Sequence, residues 1–406
     1  MSSFLKRWLS ISLFNFLLVS LLGVTLRYKI AYSLPFIDQK NLMHGHSHFA
    51  FSGWISMALM SLMVNYLLQE TGEAILKKYR WILWANILTA YGMLISLPIE
   101  GYGPVSICFS TLSIFANYIF AISYWRDLNK IKQKHVGHYW FRAALVFNAL
   151  SSAAPFFLAW MMATKNIHKD LYLASVYFFL HFQYNGWFFF ACMGLLTTKV
   201  LIHIIPSPVL KRIFWCFALA CVPAYFLSAL WLPIPFWVYL MVILAAVLQL
   251  IGWIQLIVFL KKHLSSFKDN FSLLARNLFL LSAIALTIKL LLQLCSTIPS
   301  LSTLAYGFRP IVIGYLHLVL LGVISLFLLA YIGGCNHILI NKTFVAGVII
   351  FAGAVIINEA LLMIQGIAGL DYVAVPYMDR YLLIAALLLF TGIFIMNLGQ
   401  WKKLKS

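Results

Sequence analysis

Twelve apolar runs of about twenty residues follow one another along this chain, centred at 8–27, 42–67, 80–98, 104–125, 141–163, 171–197, 212–231, 235–260, 275–296, 309–333, 343–365 and 380–399. A run of that length matches the thickness of a bilayer's hydrocarbon core when it is helical. The backbone of such a run has no water to bond, so helices are the economical way across. The expected fold class is therefore an all-α polytopic membrane protein of twelve helices. Of the 406 residues, 63% are hydrophobic and 10% charged, and little chain remains between the runs, so residues 1–406 read as a single transmembrane domain. The first run follows Lys6 and Arg7 and continues into "TLRYKIAY" without a small-residue cleavage site, which reads as a retained helix.

The net charge of +19 has its source in the short connections. With the N-terminus inside, alternate segments hold 21 basic residues within and 7 without, with Lys289 inside a helix. That asymmetry places both termini in the cytoplasm of a bacterial inner membrane, with the basic loops touching anionic lipid. Charges divided among short loops give no nucleic-acid surface. Cys108, Cys192, Cys216, Cys221, Cys295 and Cys335 form no CxxC pair and read as small apolar fillers.

Against this background the histidines stand out. "HFAFSGWIS" begins at His48, "HFQYNGWFF" at His181 and "HLVLLGVIS" at His317: in each, four residues separate a histidine from a glycine, with an apolar run beyond. The three histidines are 133 and 136 residues apart, on the second, sixth and tenth runs. The chain then reads as three four-helix units, roughly 1–130, 131–265 and 266–406. Repeats of an even number of helices keep one orientation, so the three histidines share a depth. A single transmembrane histidine is most simply an interhelical hydrogen-bonding group; three in one frame ask for more. Neutral imidazole is the usual axial ligand of haem iron, and two histidines on facing helices would hold a low-spin haem. Aromatic residues stand beside two of the sites (Phe49, Phe51, Trp54, Tyr184, Trp187). His44 and His48 lie one turn apart on one face, with His46 turned away. Only His48 keeps the frame of the repeat.

Twelve helices in three four-helix arcs, with histidines on helices two, six and ten, resemble subunit I of the haem-copper oxygen and nitric oxide reductases. "HSHFAFSGWIS" is similar to the second-helix segment of small subunit-I-like proteins, and "YLHLVLLGVIS" to the tenth-helix segment of the cbb-type branch. The resemblance implies an oxidoreductase of the respiratory chain with a b-type haem on His48 and His317. It implies Arg380 at the haem propionates and a redox partner, a cytochrome or quinol, that the sequence does not identify; His44, one turn from His48, would contact a propionate or sit in the outer interface. The resemblance makes His181 a copper ligand. The chain departs from the family at two places. Tyr315 replaces the histidine that holds the second haem, and the seventh run lacks the histidine pair that completes the copper site. Copper on His181 alone is therefore not expected, nor is oxygen reduction at a haem–copper centre. Electron transfer or chemistry with oxygen or nitric oxide remains. The nitric-oxide-response membrane family (NnrS type) is a second resemblance, through "HGHSHFAFSG".

Other polar residues sit in apolar surroundings. Lys289 and Glu359 form a possible pair or proton relay, with Gln293 and Asn358 nearby, and Gln183 and Asn185 flank His181. The simpler reading is a structural ion pair. A transporter or permease built from repeats, with these groups carrying protons, is the competing function. His135, His138, His203, His263 and His337 fall in or beside inner loops and His168 in an outer one, where solvation is expected. Cys335 and His337 are too few to hold a metal by themselves.

Overall fold

A computed structural model describes residues 3–302 and 308–401; Lys402, Lys403 and Lys405 of the inner basic set lie outside them. Among the described residues the regular elements are all helical, and eleven helices are long and apolar enough to cross a membrane. They are α1 (Ser3–Ala31), α2 (Gln39–Thr71), α3 (Glu73–Glu100), α4 (Pro104–Lys130), α5 (Val136–Ala163), α6 (Lys169–Ile204), α8 (Phe236–Lys262), α9 (Leu273–Cys295), α10 (Arg309–Gly334), α11 (Lys342–Leu370) and α12 (Met378–Trp401).

The seventh apolar run departs from expectation. Its α-helix, α7, spans Ser207–Cys221 and gives way to a 3₁₀ segment over Pro223–Ser228. Pro223 has no N–H to offer Leu219 and its ring crowds that carbonyl. Beyond it the Tyr225 N–H donates to the Val222 carbonyl at 3.2 Å, three residues back rather than four. Two further prolines in "LPIPF" then carry the chain into α8. The apolar run is real, but it is not one continuous helix.

The chain forms two compact units. The first comprises Met1–Lys130, Leu273–Phe279 and Ser325–Ser406, and the second Ile131–Ser272 and Leu280–Ile324.

In the first unit α2 is central, with the most apolar stretch of the helix wholly buried. Phe16 of α1 stacks on Trp54 of α2 with ring centroids 4.3 Å apart and meets Phe351 of α11 edge-on at 5.3 Å. Asn397 of α12 donates to the Leu13 carbonyl of α1 at 3.1 Å. Helices α11 and α12 approach backbone to backbone at Gly347 and Gly392, where any Cβ would lie within 3 Å of the opposing main chain. Small residues permit such contacts in membrane bundles. On the other side Trp81, Leu88, Ile95 and Ile99 of α3 recur at helical spacing and are all exposed. That apolar stripe calls for lipid rather than water. Where α3 begins and α4 ends, buried Asp127 accepts from Lys78, from Lys130 at 2.9 Å and from the Tyr79 hydroxyl at 2.8 Å.

In the second unit most of the apolar stretch of α6 is buried. Trp140 of α5 meets Phe190 of α6 and Phe214 of α7, each at 5.1 Å between centroids. A second cluster joins Ala220, Ala224 and Leu227 to Val242 and Ala245 of α8. Gly186 of α6 lies against α5: a Cβ there would fall 2.5 Å from the Phe147 Cβ. Gly186→Ala is therefore expected to destabilise the fold by about 1–3 kcal/mol through overpacking. Gly353→Ala, with nothing within 4 Å of the added methyl, should be neutral or stabilise by up to about 1 kcal/mol from helix propensity. Thermal unfolding of the two purified variants in detergent checks both signs.

Candidate functional site

Each histidine–glycine segment opens a π-helical turn. The three wide turns span Ala50–Ser56, Phe182–Phe188 and Leu318–Ser325, beginning one or two residues after His48, His181 and His317. Gly53, Gly186 and Gly322 lie inside them. π-turns are uncommon and concentrate at functional sites. Three at one frame of a sequence repeat make the local structure itself repetitive.

A π-turn disturbs the regular backbone ladder, and in a bilayer its carbonyls need protein partners. Side chains supply them. Asn15 of α1 donates to the Gly53 carbonyl at 2.7 Å, and Asn86 of α3 donates to the Ser52 carbonyl at 3.1 Å. The Asn15 Oδ1 in turn accepts from the Tyr91 hydroxyl at 2.8 Å. Ser282 of α9 donates to the Val323 carbonyl at 2.8 Å. In the middle segment Asn148 of α5 accepts from Gln183 Nε2 at 3.0 Å, and Ser151 accepts from the same amide at 2.8 Å. Asn15, Asn148 and Ser282 stand 133 and 134 residues apart, on the first helix of each sequence repeat. The same helix thus sends a polar side chain to the same wide turn three times.

The histidines themselves are held differently. Buried His181 has both ring nitrogens occupied: Nε2–H donates to the Cys221 carbonyl at 2.8 Å, and Nδ1 accepts from Asn185 at 3.1 Å. Those partners fix its neutral tautomer. Cys221 is the residue at which the α-helix of the seventh run stops, so the histidine serves a carbonyl at the break. His317 Nδ1–H donates to the Ile313 carbonyl one turn back, at 2.8 Å, which leaves its Nε2 as the lone-pair nitrogen. His48 Nε2 lies 3.0 Å from the Tyr102 hydroxyl, and the His44 ring packs on the same tyrosine at 4.7 Å between centroids. His44 Nε2 is buried with no hydrogen-bond partner among the described residues. His46 turns to the opposite side, as expected, and donates to the Val19 carbonyl of α1 at 3.0 Å.

The motif helices also meet. Within the first unit the Trp54 indole N–H of α2 donates to Ser325 Oγ of α10 at 3.0 Å. In the second unit Tyr184 of α6 meets Tyr315 of α10 edge-on at 6.3 Å.

The remaining sequence candidates separate. Lys289 is buried in the second unit beside a cavity of about 10 Å³ that Asn185, Cys221 and Gln249 also line. That volume holds about one water. The Gln249 and Gln293 carbonyl oxygens are buried without partners among the described residues. Glu359 belongs to the first unit and accepts from the Asn358 amide at 3.1 Å. Gln183 serves Asn148 rather than His181. Arg380 is exposed at the start of α12 and lies over the Tyr377 ring, 5.3 Å from its centroid. His138 corrects its expectation of solvation: it is buried on the first turn of α5, its ring 4.2 Å from that of His135. Burial and the nearby His203 lower the pKa of His135, which lies just outside α5. Among the described residues no three His, Cys, Asp or Glu side chains gather as a metal site. Cys335 and His337, both half-buried, thus find no third ligand.

No protein-family model matches the chain, and no curated protein is significantly similar to it in sequence.

Sequence reasoning missed Tyr102, Asn15, Asn86, Asn148 and Ser282. A visible signal existed: each asparagine interrupts an otherwise apolar run, where a polar side chain costs free energy unless it is bonded. Replacing His181 by alanine removes the partner of the Cys221 carbonyl and of the Asn185 amide together. Destabilisation of about 1–3 kcal/mol is expected from the groups left unbonded, read as a lower unfolding temperature in detergent. His181→Gln, which retains a donor and an acceptor, should recover part of the loss.

Proposed function

We propose that this chain is a membrane haem protein of the subunit I type, crossing the bilayer twelve times in three repeated four-helix units with both termini cytoplasmic. The broken seventh run supplies the remaining crossing. His48 and His317 are the axial ligands of a low-spin b-type haem. The observation that carries this reading is the recurrence of one local device, a histidine followed by a π-turn and a glycine, on three helices.

Further observations support it. The Trp54–Ser325 bond joins the helices that bear the two ligands. The His317 Nδ1–H on the Ile313 carbonyl is the usual arrangement of a ligating imidazole, which fixes the tautomer and aims Nε2 outward. On α2 a buried His44 Nε2 without a hydrogen-bond partner among the described residues accompanies His48. Such an orphaned nitrogen fits a polar group of a bound cofactor, as does exposed Arg380 for a propionate. Phe49, Phe51 and Trp54 are buried around the first turn and would exclude water. The donor types of these residues fit a haem, with His48 Nε2 exchanging the Tyr102 hydroxyl for the iron.

Bound haem supplies reversible one-electron transfer between partners such as a cytochrome and a quinol. The chain's own contribution is to hold the iron on two neutral imidazoles and keep water from it. A haem held by both imidazoles would serve electron transfer, and chemistry with oxygen or nitric oxide would require one imidazole to give way; oxygen reduction at a copper centre is not part of the reading. His181 spends both nitrogens on protein partners, and α7 carries no histidine, so copper has no part in the proposal.

A proton-coupled transporter is the second reading. It draws on buried Lys289, the unpartnered Gln249 carbonyl and the water-sized cavity beside them.

The two readings separate in one spectrum. Purified from haem-replete cells, the wild type should show sharp low-spin bands in a dithionite-reduced minus oxidised difference. His48→Ala and His317→Ala should each lose them, whereas His181→Ala should keep them. A colourless wild type overturns the haem reading in favour of the transporter.

A further inference from the structure

Away from the histidine–glycine turns, the second unit carries a cavity of about 120 Å³ where α5 and α7 begin. Lys134, His135, His138, Arg142, Ser207 and Lys211 line it, with Val136 and Tyr139. Three of these side chains carry a fixed positive charge, and no Asp or Glu lines the cavity. Two helix N-termini, those of α5 at Val136 and α7 at Ser207, open beside it, and helix N-termini favour anions. Charge and shape thus agree. The room is several times that of a single water. Like charges gathered in a hollow repel one another and cost stability unless an anion occupies it. Loops that only set topology need no such hollow, because charge alone fixes orientation.

The position narrows the ligand. Both helices begin at the cavity, so it lies where apolar chain gives way to polar connection. This is the level at which lipid phosphates sit. Arg142 offers a planar fork of donors suited to phosphate oxygens, and Lys134 and Lys211 add point charges. His135, whose pKa is lowered by burial and by His203, adds a neutral ring at the rim.

We propose that the cavity at the start of α5 and α7 binds a phosphate group, carried either by an anionic lipid headgroup or by a free phosphate. Arg142 grips the oxygens, and Lys134 and Lys211 neutralise their charge. The site is independent of the haem reading.

The test titrates the full chain, purified in a neutral detergent, with dioleoylphosphatidic acid, with dioleoylphosphatidylcholine and with sodium phosphate against sodium chloride at equal ionic strength. The unfolding temperature is the readout. Saturable stabilisation by phosphatidic acid, absent with phosphatidylcholine and with sodium phosphate, assigns the site to lipid. Saturable stabilisation by sodium phosphate assigns it to the free anion. In either case Lys134→Gln with Lys211→Gln should raise the half-saturating concentration about tenfold. Lys261→Gln with Lys262→Gln removes two charges at the end of α8, outside the cavity, and should change it less than about twofold. Arg142→Gln, a single substitution, gives the same comparison should the double variant fail to fold. No saturable response to either phosphate probe, or equal weakening by the cavity and control variants, overturns the proposal.

Discussion

A backbone carbonyl inside a bilayer must find its partner within the protein, and most of this structure follows from that requirement. Regular helices meet it alone. The wide turns after His48, His181 and His317 do not, and neither does the end of the α-helix at Cys221. At these places the chain spends polar side chains in an otherwise apolar interior. Asn15, Asn86 and Ser282 bond carbonyls of the wide turns, and His181 bonds the carbonyl at the break. These bonds join neighbouring helices, so meeting the backbone's need also fixes the packing. An interhelical hydrogen bond in a membrane contributes only about 0.6 kcal/mol on average. Its larger effect is the cost of leaving a buried group unbonded, about 1–3 kcal/mol.

The same physics sorts the histidines. Three share a sequence frame, yet their ring nitrogens meet different neighbours. His181 is enclosed by protein partners on both nitrogens, whereas His317 bonds its own helix through Nδ1. His48 faces Tyr102, and His44 beside it keeps a buried nitrogen without a partner among the described residues. Frame equivalence is therefore not chemical equivalence. What the repeat preserves is the wide turn and the polar side chain sent to it from the preceding helices.

Much of the fold was legible in the apolar runs, because run length and composition dictate membrane helices almost without regard to detail. The seventh run was misread as one helix because Pro223 changes the hydrogen-bonding pattern without changing hydropathy. The histidine–glycine frame was legible as a repeat, but its π-turns were not, since a π-turn has no distinct composition. Tyr102 escaped notice because it comes to His48 through tertiary packing from 54 residues away. His138 was assigned to a loop because charge beside it masked the start of α5.

The wide turns set an angle as well as a hydrogen-bonding need. A π-turn holds about one residue more than an α-turn, and one residue of an α-helix is about 100° of rotation. The two ends of each motif helix are therefore phased separately, like two cranks on one shaft. In α2 the leading half aims His44 and His48 at Tyr102 and His46 at Val19, while the trailing half aims Met57, Leu59 and Met63 into the core. Because the wide turn absorbs one extra residue, deleting a residue within it and closing it to an α-turn would keep both halves in their present aim, whereas deleting one from the regular helix beside it would swing the histidine face by about 100°. The aim of the histidines is thus governed by a residue count rather than by any side chain around them.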